Sequence, residues 1–315
     1  MTCERSSKSG LSGAQFCPYD VGMKYIVPIV AALLLSFAPA AHAKKAPPAK
    51  PALWVMSDAD TKIYLFGTVH VLPKGYKWTT RAIRSAMADS KELVLEVADM
   101  DDDTKTAGTF MSLAMSPGLP KIAERVPVDK RAGFDALVAK SGIPVAALDQ
   151  FESWAVALTL AAGMLKELGV GPDDGVEAAL TKTFKAANKP ISGLETTAEQ
   201  LGFFDTLPEQ AQRVFLSSMV DDTTDVRKEF DAMIASWAAG DEAKIAISFD
   251  DELKLSPELL DKLLRKRNAN WTDWLVKRMD QPGTVFMGVG AGHLAGADSV
   301  QTMLSAKGYK VTRLQ

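Results

Sequence analysis

Two stretches near opposite ends of the chain repeat one unit, and that repeat constrains the fold more than any other feature. At the front, residues 62–66 read as a strand, Gly67-Thr68-Val69-His70 follows, and a loop with Pro73 and Gly75 leads into a helix over residues 80–90. A second strand then covers Glu92–Val97. At the back, residues 284–289 read as a strand, Gly290-Ala291-Gly292-His293 follows, and Gly296 sits in the next loop. A helix over residues 298–307 then leads to a last strand at 309–314. The strand runs are almost continuously apolar, as expected of parallel strands covered on both faces. Right-handed crossovers put whatever follows the first strand of each unit at the carboxyl edge of the sheet. Open α/β sheets bind ligands along that edge. The expected fold is α/β, shading into α+β, with a central, mainly parallel sheet. Two βαβ-type units at the chain ends build it, and a large helical insertion lies between them.

The chain has three histidines, and the two outside residues 1–43 both stand in this Gly-x-x-His frame. Spending the remaining imidazole on one repeated motif implies that the two rings are brought together. Imidazole is the commonest metal ligand and the side chain best suited to proton transfer near neutrality. The third ring, His42, lies in a segment with the marks of an export signal. Met23-Lys24 begins a short basic region, residues 26–37 are apolar apart from Pro28 and Ser36, and Ala41-His42-Ala43 fits a small-x-small cleavage site. The apolar run is shorter than the ~20 residues a transmembrane helix needs. Residues 1–43 are therefore expected to be a signal peptide, with Met23 a candidate for the true start. Residues 44–51 are expected to be an extended linker and 52–315 a single domain, in the periplasm or secreted, with no transmembrane segment left after cleavage.

Both cysteines, Cys3 and Cys17, precede Met23, so residues 44–315 offer no disulfide and no thiolate nucleophile or metal ligand. They carry 33 basic and 37 acidic side chains, a net charge of −4. No basic cluster suggests a nucleic-acid groove.

The middle of the chain, residues 104–280, reads as mainly helical. Residues 153–168 form a long apolar helix, 175–189 place Val176, Leu180 and Phe184 at helical spacing, and Ser256-Pro257 looks like a helix start. Thr197 and Gln200 are spaced as a capping box. Two short strands are expected within this region, at 143–148 and 190–194, the second running into Glu195.

Four side chains with metal or acid–base chemistry are thus expected at one sheet edge: His70, His293, Glu96 at the end of ELVLEV, and Glu195. Two imidazoles with a carboxylate suit a divalent metal that keeps open positions for water and substrate. Gly67 and Gly290 permit the sharp turn after each strand. In the polar run Arg267-Asn268-Ala269-Asn270-Trp271, Arg267 could bind an oxyanion or a substrate carboxylate, and Asn268 could add a hydrogen bond.

The segments LFGTVHVLP (65–73), ELVLEV (92–97), ISGLETTAEQL (191–201), RNANW (267–271), FMGVGAGHLAG (286–296) and GYKV (308–311) together resemble the TraB/GumN family. Its members include bacterial pheromone-shutdown proteins and the Tiki metalloproteases. The resemblance implies a metal-dependent hydrolase, in one branch a protease, using the two histidines and the glutamate. One departure is Glu177, in Gly175-Val176-Glu177, where the family pattern leads one to expect aspartate.

The leading expectation is an exported hydrolase acting on a peptide or other small substrate through Mn²⁺, Co²⁺ or Zn²⁺ held by His70, His293 and Glu96. In it Glu96, Glu195, Arg267 and Asn268 supply the remaining catalytic chemistry. Two other classes stand beside it. One is a non-catalytic peptide- or haem-binding protein; the other is a metal-free esterase with a histidine base. No Gly-x-Ser-x-Gly elbow follows a strand, which counts against the usual serine hydrolase.

Overall fold

The computed structural model describes residues 48–98, 103–221, 226–253 and 256–315. The expected signal peptide and residues 44–47 of the expected linker lie outside them. Six strands form one sheet: β1 (Leu53–Ser57), β2 (Thr61–Thr68), β3 (Glu92–Val97), β4 (Ile191–Glu195), β5 (Gly283–Gly290) and β6 (Val311–Arg313). Their order is β4-β3-β5-β2-β1-β6. β1 runs antiparallel to both of its neighbours, and every other adjacent pair is parallel.

The two end units interleave. β5 inserts between β2 and β3, so the first strand of the rear unit separates the two strands of the front unit. Gly67 then lies opposite Val289, and Thr68 opposite Gly290. This register sets the two Gly-x-x-His frames side by side although 223 positions separate His70 from His293.

Strand side chains alternate between two apolar layers, as the period of two requires. Phe66, Leu93, Leu95 and Phe286 face one layer. It is closed by Ile83 and Met87 of helix Arg81–Asp89, Leu180 and Phe184 of helix Val176–Ala186, and Trp237 of helix Val226–Ala239. Ile63, Leu65, Val94, Val285, Met287 and Val289 face the other, against Trp271, Leu275 and Met279 of helix Lys266–Met279. Both faces are covered, and the described residues fall in one compact unit. The helical insertion adds a core of its own, where Phe134, Leu148, Val156, Leu160 and Leu216 pack together.

Two local expectations need correction, and one strand was not foreseen. The strand expected at 143–148 is instead a short helix, Val145–Leu148. Its apolar run is too short for periodicity to separate strand from helix, and it lies in the helical core, with Leu148 fully buried. The capping box sits one residue earlier than expected: Thr196 is the N-cap, its hydroxyl accepts from the Glu199 N–H, and Glu199 reaches back to the Thr196 N–H. β1 was not anticipated. It enters the sheet through a tight connection in which Asp58 Oδ1 accepts from the backbone N–H groups of Asp60 and Thr61.

The candidate site at the carboxyl edge

β2, β3, β4 and β5 all end at the same edge. Close approach there depends on absent side chains. A Cβ on Gly67 would lie 3.1 Å from Ala291 Cα, and one on Gly290 would lie 3.0 Å from Glu96 Oε1. With hydrogen in that place, Glu96 lies against β5 and its Oε1 accepts from the Gly290 N–H at 2.6 Å. Its Oε2 accepts from Arg267 Nη2 at 2.7 Å and from Gln200 Nε2 at 3.1 Å. Burial pushes the Glu96 pKa up. Interactions with His293, Arg267 and His70, helped by the Gly290 N–H, outweigh it and hold the carboxyl at about 2.

Arg267 is the hub of the buried cluster. A π-helical turn, Asp261–Arg265, immediately precedes helix Lys266–Met279; such turns are rare and often occur at functional sites. Arg267 donates through Nε to Glu195 Oε1 at 2.9 Å and through Nη2 to Glu195 Oε2 at 2.8 Å, a forked pair. Its Nη1 reaches His293 Nε2 at 3.1 Å and the Leu263 carbonyl at 3.3 Å. The guanidinium also lies over the Trp271 ring, 4.8 Å from its centroid. Trp271 Nε1 donates to Glu195 Oε1 at 3.0 Å. Burial raises the pKa of Glu195, against the opposing pull of Arg267.

His293 sits in the short 3-10 turn Ala291–Leu294 and is 6% exposed. Its ring lies 4.3 Å from that of Trp271, centroid to centroid. The hydrogen-bond partners assign its tautomer. A guanidinium can only donate, so Nε2 is an acceptor. Nδ1 lies 2.6 Å from Asn268 Oδ1, whose own amide nitrogen is turned away to donate to the Asp298 carbonyl at 2.7 Å. Nδ1 therefore carries the proton and Nε2 the lone pair. Burial, with Arg267 adding to it, holds the His293 pKa down at about 3, so the ring is neutral.

His70 has a different setting. Its side chain is 70% exposed, and Nδ1 lies 2.9 Å from Glu177 Oε1. That oxygen also accepts from Thr68 Oγ1 at 2.5 Å. The Glu177 carboxylate raises the His70 pKa to about 9. Glu177 stands in the first turn of helix Val176–Ala186. The sequence singled it out only as a departure from a family pattern, not as a site residue.

Among the described residues no group of three or more His, Cys, Asp or Glu side chains is gathered closely enough to hold a metal ion. His293 Nε2 and Glu96 Oε1, 3.8 Å apart, form one pair, and His70 with Glu177 forms another. Charge on His70 is felt at both Glu96 and His293. Arg267 is engaged by Glu96, Glu195 and His293, and the Asn268 amide nitrogen by backbone carbonyls. Both therefore organise the cluster instead of standing free for a substrate.

The family model for the TraB/PrgY/gumN family matches residues 52–313, from the start of β1 to the end of β6. The chain belongs to that family. A relative, an uncharacterized protein of Treponema pallidum (strain Nichols), is 19% identical over 262 residues, covering 78% of each chain. No solved structure matches. The segments that carried the resemblance in the sequence, ELVLEV, ISGLETTAEQL, RNANW and FMGVGAGHLAG, supply Glu96, Glu195 with Gln200, Arg267 with Asn268, and His293 with Gly290.

Proposed function

We propose that this family member is an exported, divalent-metal-dependent hydrolase whose substrates are peptides. The observation that carries the reading is the tautomer of His293. Asn268 holds the Nδ1 proton, so Nε2 carries the lone pair; it accepts from Arg267 Nη1 and lies 3.8 Å from the ionised Glu96 Oε1. Metal-ligating histidines characteristically have their other nitrogen tied in this way.

The chemistry of these donors suits a cation. Glu96 and Glu195 are both buried around one guanidinium, so with both ionised the cluster has an excess of negative charge. Buried charge left unmatched is costly, which favours a further cation. His293, Glu96 and His70 would hold the metal; imidazole and carboxylate suit Mn²⁺, Co²⁺ and Zn²⁺ alike. When bound, such a metal polarises a carbonyl and makes hydroxide available near neutral pH.

The remaining steps belong to the chain's own groups. Glu195 and Trp271 hold Arg267 in place through the forked pair and the indole N–H. The guanidinium thereby keeps positive charge beside the reacting centre, suited to charge developing on a substrate oxygen. Phe203 and Trp271 flank it and limit water. Export is part of the reading on the strength of residues 23–43. Among the described residues, no helix is long and apolar enough to cross a membrane.

The test is to strip purified protein, add back Mn²⁺, Co²⁺ or Zn²⁺ singly, and assay a peptide library beside His293→Ala. At least one metal should restore cleavage in the wild type and none in the variant. Equal cleavage by stripped and reloaded protein would overturn the metal, and no cleavage under any condition would leave a binding protein. N-terminal sequencing of the exported protein should begin at Lys44.

A further inference from the structure

The two frames deliver their rings differently, and the first depends on a residue from elsewhere in the chain. Gly175 passes directly beneath the His70 backbone: a Cβ there would lie 2.1 Å from the His70 carbonyl oxygen. The Val176 N–H donates to the Val69 carbonyl at 3.1 Å. These contacts dock the first turn of helix Val176–Ala186 onto the end of β2 and bring Glu177 under the His70 ring. An ionised carboxylate only accepts hydrogen bonds. With Glu177 Oε1 at 2.9 Å from Nδ1, the proton must be on Nδ1. Thr68, two residues before His70, donates to the same oxygen at 2.5 Å and fixes the carboxylate against the strand.

We propose that Glu177, braced by Thr68, is the positioning residue for His70: in the neutral ring it fixes the Nδ1–H tautomer and leaves Nε2 as the lone-pair atom. His70 and His293 then present the same ring nitrogen, one through a carboxylate and the other through the Asn268 amide. The carboxylate also makes the His70 ring a stronger base and hence a stronger donor. Glu177 touches neither substrate nor metal; it acts through His70. Where metal affinity is concerned this inference rests on the proposed function, but the tautomer does not.

Two measurements keep the two ideas separable. The first is imidazole ¹⁵N NMR on metal-free protein at alkaline pH, where the His70 ring is neutral. Wild type and Glu177→Gln, which keeps an acceptor oxygen, should show the proton on Nδ1. Glu177→Ala should shift it toward Nε2, and Thr68→Val should leave a mixture. The second is Mn²⁺, Co²⁺ and Zn²⁺ binding by calorimetry, with expected losses of about 10–100-fold for Glu177→Ala and partial recovery in Glu177→Gln. A tautomer unchanged in Glu177→Ala would overturn the inference, as would a loss of thermal stability alone. If the wild type binds none of the metals, the metal reading fails while the NMR result still decides the role of Glu177.

Discussion

The two Gly-x-x-His frames begin alike and end in opposite surroundings. Each follows a parallel strand of the same sheet, one residue out of register with the other. His293 is 6% exposed, neutral, and enclosed by Trp271, Asn268 and Arg267. His70 is 70% exposed and paired with a carboxylate. The difference comes from the helices that meet each frame. Ala291 and Gly292 are small enough for a 3-10 turn that folds the second frame inward, where Lys266–Met279 presents Arg267, Asn268 and Trp271 within its first two turns. The first frame meets Trp237 of Val226–Ala239 at its Gly67 carbonyl and the start of Val176–Ala186 at its other end, where Glu177 meets a His70 ring left exposed. The motif fixes where each ring begins; the helical insertion fixes how buried and how basic it is.

That contrast is most exposed to refutation at Arg267. Arg267→Met would leave Glu96 and Glu195 buried without their shared partner, an expected cost of about 3–5 kcal/mol in denaturant unfolding. Arg267→Lys should recover little of it, because a point charge cannot replace the fork. No single change at His70 should cost more than about 1 kcal/mol, since its side chain is largely open to solvent. Equal losses on both sides would remove the distinction between a buried and an exposed frame.

Removal of the rings separates stability from activity. Both His70→Ala and His293→Ala should abolish metal-dependent hydrolysis. His293→Ala alone should also destabilise, by about 2–4 kcal/mol, through a cavity beside Trp271 and an unmatched Asn268 oxygen. Unfolding curves that coincide for the two variants would contradict the burial of His293.

The rings should also act on opposite limbs of the pH–stability profile of the metal-free protein. His293 takes a proton near 6.5 when unfolded but only near 3 in the fold. Its contribution is complete above 6.5 and drains away as pH falls toward 3. Glu96, depressed from 4.5 to about 2, loses its share only below 4.5. Acid destabilisation between pH 6.5 and 4.5 therefore belongs to His293 and should vanish in His293→Asn. His70, raised from 6.5 to about 9, behaves inversely: its contribution is complete below 6.5 and is lost as pH rises through about 9. Solvent screens that pair, so the alkaline limb should be shallow; His70→Ala should flatten it and move the acid limb only by removing the His70 charge felt at Glu96 and His293.

The repeat of strand, Gly-x-x-His, helix and strand carried most of the sheet, because each strand is a nearly unbroken apolar run with a glycine at its end. The six-stranded mixed α/β fold with its helical insertion agrees with that reading. The interleaving of β5 between β2 and β3 was not legible, since order within a sheet depends on tertiary packing that no local pattern encodes. β1 is only five residues long, and 143–148 is shorter than a helical period can discriminate. Of the site, His70, His293, Glu96 and Glu195 could be chosen because they end apolar strands. Glu177 could not be chosen on that ground, since it begins a helix. An acid two residues after a glycine at a helix start usually serves the helix dipole.

Gln200 teaches the same lesson on a smaller scale. Spacing assigned it to a capping box, but Thr196 and Glu199 form that box one residue earlier, and the shift frees Gln200 to donate to Glu96 Oε2 at 3.1 Å. It is one of three donors to that carboxylate, beside Arg267 and the Gly290 N–H. Gln200→Ala should therefore cost about 1 kcal/mol, much less than loss of Arg267. The helix itself should survive, because its cap is intact. Glu199→Ala should do the reverse, weakening the cap by about 1 kcal/mol while leaving Glu96 satisfied. The discriminating readout is the ionisation of Glu96, followed by carboxyl ¹³C NMR. Its pKa should rise in Gln200→Ala and stay put in Glu199→Ala. A rise in both would mean that the cap, not the Gln200 side chain, supports the buried frame.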